Sequence, residues 1–107
     1  MSEPCTEEES FAPPAPEGVL SRELQIVNRR GLHARATAKF VQCVERFDAR
    51  IKVSRCGETV GGDSIMGILT LGAGVGSTIT VSASGARARE ALEALAELVA
   101  NRFGEDE

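Results

Sequence analysis

The chain has 107 residues, 42% of them hydrophobic, and a formal net charge of −4, which bounds it to one small domain with a modest single core. The acids sit at the ends: residues 1–20 carry five Glu with no Lys or Arg, and residues 105–107 carry three more acids, which leaves +4 over residues 21–104. That mildly basic body suits an acidic partner surface or a bound phosphate, while the lack of Tyr and Trp disfavours nucleic acid and the lack of any long apolar run disfavours membrane insertion.

Residues 1–20 hold all four prolines and little apolar periodicity, so a disordered acidic tail is expected there, with a domain over 21–104 and an acidic C-terminal tail over 105–107. "RELQIVN" alternates Leu24 and Ile26, the pattern of a strand ending near Asn28, and "RRG" reads as a turn. Over residues 34–46 the apolar residues Ala36, Phe40, Cys43 and Val44 recur at helical spacing, followed by Phe47. "ARIKVSR" predicts a second strand, "CGET" a hairpin turn and "ETVG" a short third strand. Asp63 or Ser64 can cap a short helix reaching about Leu71, with Ile65, Ile68 and Leu69 as its apolar stripe. "GAGVG" is a connector, since "GAGVGST" lacks both the lysine of a phosphate-binding P-loop and the spacing of a dinucleotide fingerprint. "STITVSAS" predicts the fourth strand, and the stripe from Ala88 to Val99 a last helix ending near Arg102.

The order β-α-β-β-α-β-α predicts an α+β open-faced sandwich: a four-stranded antiparallel sheet, one face wet and three helices on the other. The three cysteines, Cys5, Cys43 and Cys56, show no C-x-x-C spacing. They are expected as reduced thiols in a cytoplasmic protein, and no secretory signal is expected at the N-terminus.

His33 is the sole histidine, placed at the mouth of the first predicted helix. A lone histidine is most often structural. Here Gly31 permits the turn into the helix, and the first helical amides lack intrahelical partners. An anion at that place gains hydrogen bonds from the backbone of Ala34 and Arg35 and the favourable end of the helix dipole. The Arg35 guanidinium adds a fixed cation with a geometry suited to phosphate. A neutral imidazole is a competent nucleophile towards phosphorus. These residues therefore fit a histidine that accepts a phosphoryl group.

"GLHARATAKFVQ" resembles the active-site signature of HPr, the histidine-containing phosphocarrier family of the sugar phosphotransferase system. "DSIMGILTLG" resembles the same family's regulatory-serine block, and the two lie in register, with Ser64 placed 31 residues after His33. The resemblance spans about residues 22–102 and its wording is closest to alphaproteobacterial members. It implies that His33 takes a phosphoryl group on Nδ1 from phospho-enzyme I and passes it to an enzyme IIA, with Arg35 contacting the phosphate. It implies that Ser64 is the target of HPr kinase/phosphorylase. It further implies a monomeric carrier with no cofactor and no turnover of its own, in a regulatory rather than a sugar-transporting system. The family usually has proline where Ala36 stands, which predicts a working but slightly less rigid helix start.

Each of these residues has a plainer reading. Ser64 is explained by N-capping alone. Ile65 and Met66 cannot both be buried on so short a helix, so one should be exposed as part of a docking patch beside His33 rather than as core. Arg30 and Lys39 can ring that patch with positive charge or simply be solvated. A small regulatory or ligand-binding module with a structural histidine is the alternative to a carrier; an RNA-binding module fits the composition less well.

Overall fold

A computed structural model describes residues 19–105. Four strands, β1 (Val19–Gln25), β2 (Arg50–Arg55), β3 (Glu58–Gly61) and β4 (Thr78–Ser84), form one sheet in the order β1-β4-β2-β3. Every neighbouring pair is antiparallel. Three helices, α1 (Ala34–Glu45), α2 (Ile65–Thr70) and α3 (Ala88–Ala100), complete the open-faced sandwich read from the sequence.

Alternation decides which sheet face is covered. Along β4, Ile79, Val81 and Ala83 are buried while Thr78, Thr80, Ser82 and Ser84 keep partial exposure. Ile51 and Val53 of β2 point the same way, and Val53 lies directly opposite Val81. Against this face α1 places Ala36, Phe40 and Val44, and α3 places Ala91, Leu92, Leu95 and Val99. Removing each larger aliphatic or aromatic side chain from water contributes about 1.5–3 kcal/mol.

β1 and β2 run parallel with β4 between them, and β3 and β4 run parallel with β2 between them. Each pair is joined through a helix, α1 or α2, so both helices begin at turns that follow a strand. That topology delivers the two helix starts carrying His33 and Ser64.

Several expectations need adjustment. β1 begins at Val19, so it includes Val19 and Leu20, which the composition assigned to the tail. It ends at Gln25, yet Ile26 still exchanges backbone hydrogen bonds with Ser77 (2.8 Å) and Gly76 (2.7 Å). The hairpin turn is Cys56-Gly57, with φ of 53° and 85°, the two positive angles that a two-residue type I′ turn demands. Cys43 is a free buried thiol as expected, but Cys56 is disulfide-bonded, not reduced. The expected tail over residues 1–18 lies outside the described residues.

Candidate functional site

The turn before α1 is fixed by backbone. Gly31 has φ +70°, and a Cβ there would lie 2.8 Å from both Ala73 O and Gly74 Cα. Only glycine meets both demands. Leu32 N donates to Ala73 O at 2.9 Å, which stitches this turn to the loop after α2. The chain then enters the helix at His33, the N-cap residue, with φ −77° and ψ 179°.

A cap's side chain normally accepts from an early helical amide. His33 does so through Nδ1, which accepts from Arg35 N at 3.2 Å. Nδ1 therefore faces the start of α1, where unpartnered amides and the helix dipole favour negative charge. The other ring nitrogen, Nε2, meets Oε2 of Glu105. The Glu105 carboxylate is also held by Asn28, whose Nδ2 donates to Oε1 at 3.1 Å and to Gly31 O at 2.8 Å. Asn28 is fully buried, and among the described residues its Oδ1 has no hydrogen-bond partner. Reversing that amide would turn its oxygen onto two acceptors, so the two donated bonds set its orientation.

The His33 bond leads the causes that hold the Glu105 carboxyl below the usual range. Partial desolvation opposes it; the Asn28 bond and the charges of His33 and Arg30 add to it. Glu105 is thus part of the site rather than of a free acidic tail. Composition gave no sign of this, because nothing in residues 105–107 distinguishes a carboxylate bound 72 positions away from one in solvent.

Arg35 is exposed on the first turn of α1, and Arg30 is exposed in the preceding turn. Lys39 has a different setting: its ammonium donates to Phe103 O at 2.7 Å. It therefore anchors the C-terminal segment in addition to any part in docking.

Ser64, not Asp63, is the N-cap of α2, with Oγ accepting from Gly67 N at 3.0 Å. Gly67 matters here, since a Cβ would come within 2.9 Å of that hydroxyl oxygen. Ile65 and Met66 are both exposed, by 42% and 70%. Ile65 therefore leaves the expected apolar stripe, because a six-residue helix turns only Ile68 fully inward. α1 packs on α2, and the turn before His33 lies against the loop that follows α2. Val75, exposed by 59%, sits in the loop whose Ala73 and Gly74 touch Gly31. It joins the apolar surface near the site and was missed because its glycine-rich surroundings read as a plain connector.

An open-faced sandwich with a histidine capping one helix and a serine capping another is the architecture of a phosphoryl carrier. The family model for the PTS HPr component phosphorylation site matches residues 20–101. The phosphocarrier protein HPr of Cupriavidus necator is 48% identical over 89 residues, 83% of this chain and all of the relative. The crystal structure of HPr-C-His from Thermoanaerobacter tengcongensis superposes with a TM-score of 0.79 at 39% identity, covering 82% of this chain and 99% of that one. The crystal structure of an HPr dimer from the same organism gives a TM-score of 0.65 at 41% identity, covering 77% and 94%. The chain belongs to the HPr family of the phosphotransferase system.

Proposed function

We propose that this chain accepts a phosphoryl group on Nδ1 of His33 from phospho-enzyme I and delivers it to an enzyme IIA. The observation that carries this reading is the N-cap geometry of His33, with Nδ1 turned to the amide of Arg35. The Nδ1 lone pair attacks phosphorus, the P–N bond of the donor breaks, and the donor imidazole leaves with the electron pair. Transfer onwards repeats the step, with His33 as the leaving group. Amides at the start of α1 and the Arg35 guanidinium neutralise the charge on the phosphoryl oxygens. The group is never stored deeply, since His33 keeps partial exposure and successive partners can reach it.

Ser64 is the regulatory phosphosite of this reading. A phosphate at an N-cap gains from the same helix-end electrostatics, while its charge beside Ile65 and Met66 repels an acidic partner. Ile65 and Met66, with Arg30 and Lys39, form the docking surface for enzyme I, enzyme IIA and HPr kinase/phosphorylase. The carrier works as a monomer, unlike the solved dimer above; a single species of one-chain mass in size-exclusion chromatography is the expected result. Its use is regulatory rather than sugar transport, so deleting it should leave sugar uptake intact.

Incubation with phosphoenolpyruvate and enzyme I should give an acid-labile, base-stable label. His33→Ala should take none; a variant labelled as well as the parent removes the carrier reading. Arg35→Glu should slow transfer with little change in thermal stability. ATP and HPr kinase should give an acid-stable label that Ser64→Ala abolishes.

A further inference from the structure

We infer that Glu105 is a positioning residue for phosphoryl transfer: its carboxylate holds the Nε2 proton of His33 and so keeps the lone pair on Nδ1. This deepens the carrier reading and rests on it. A neutral imidazole has one protonated nitrogen and one lone pair, and the partner of either nitrogen selects the tautomer. Both partners are present here and agree. An ionised carboxylate can only accept, so its bond to Nε2 requires the proton there. The Arg35 amide can only donate, so its bond to Nδ1 requires the lone pair there.

The chain delivers Glu105 to this place at a conformational cost. Arg102, Phe103 and Gly104 have φ of 57°, 55° and 79°. Left-handed backbone is strained for Arg and Phe and persists where surrounding contacts determine it. Several contacts do so here. Phe103 is buried in the core. Lys39 Nζ donates to its carbonyl at 2.7 Å. Glu105 N donates to Arg102 O at 2.8 Å. Asn28 fixes the far carboxylate oxygen at 3.1 Å. The reversal after α3 thus ends with a carboxylate clamped between a buried amide and the ring.

The contact also suits the chemistry of the step. When Nδ1 bonds phosphorus, Nε2 retains its proton and the ring takes on positive charge. The phosphoryl group lies at Nδ1, while Glu105 lies at Nε2 on another edge of the ring. The carboxylate stabilises the charged ring without meeting the phosphate. No proton leaves His33 in either direction of transfer.

The test uses the full chain with Glu105→Gln and Glu105→Ala. Long-range ¹H–¹⁵N spectra of the neutral His33 ring should show a single Nε2–H tautomer in the parent, with a hydrogen-bonded Nε2 proton. Glu105→Ala should lose that proton signal and move towards a tautomer mixture; Glu105→Gln, whose amide can accept at Nε2 through oxygen or donate to it through nitrogen, should fall between Ala and the parent. Phosphorylation by phospho-enzyme I should fall about tenfold in Glu105→Ala, as expected for one charge-assisted hydrogen bond at a partly exposed site. KM should hold, and the melting temperature at neutral pH should fall only slightly, by the stability that the ionised carboxylate adds there. A parent that accepts phosphate while Glu105→Ala keeps its ring spectrum or its rate overturns the role of Glu105. A parent that accepts no phosphate overturns the carrier reading, and this inference falls with it.

Discussion

At the residue scale the site is a set of agreements between donors and acceptors. His33 receives from the Arg35 amide at one nitrogen and gives to Glu105 at the other. The first half of that arrangement was legible in "GLHAR", because a cap and its helix are local. The second half was not, since Glu105 meets His33 and Asn28 only after α3 has packed across the sheet. The lowered carboxyl of Glu105 has a direction that can be tested. A group whose pKa is depressed in the folded state adds stability above its unfolded value, about 4.3 for Glu, and loses it as the pH falls through the folded value. The carboxyl carbon of Glu105 should therefore titrate below that ordinary value in an NMR pH series, and Glu105→Gln should lessen the acid sensitivity of folding. A midpoint at or above the ordinary value would contradict the contact.

The elements were largely readable because each carries its own period. β4 alternates without interruption and α3 keeps one apolar stripe, so both fall where expected. The misjudged boundaries have physical causes. β1 extends back to Val19 because antiparallel pairing with Ser84 is available, a reason that belongs to the partner strand. Ile65 is exposed because α2 is too short to bury more than its Ile68 position. The α2 cap yields a stability prediction. Ser64→Ala removes the acceptor for Gly67 N and should cost about 1 kcal/mol, a fall in melting temperature of roughly 4–8 °C for a domain of this size. Ser64→Asp retains an acceptor and should melt near the parent. Thermal unfolding followed by circular dichroism separates the two, and equal melting of Ser64→Ala and parent would show the cap to be idle.

At the scale of the whole molecule, the exposed Ile65 and Met66 of α2 and Val75 of the following loop belong to the segment that packs against α1 and its entry turn, while the sheet presents its polar face elsewhere. Resemblance in two registered blocks conveyed that plan; composition alone conveyed only a mildly basic body. Met66 is the most exposed of the large apolar residues among those described. Met66→Glu adds an anion there without disturbing the core. It should raise the KM for phospho-enzyme I about tenfold or more, as loss of a central apolar contact does, with unchanged melting; an unchanged KM would move the docking surface away from α2.

The hydrogen bond from Leu32 N to Ala73 O, beside the contact-tight Gly31, has a consequence for how such a carrier can diverge. It fastens the turn before the His33 cap to the loop that follows the Ser64-capped helix through main chain alone. Surface side chains can therefore be exchanged to suit new partners without shifting one cap relative to the other. A lineage can rewrite its contacts while the spacing between its two signals is inherited unchanged.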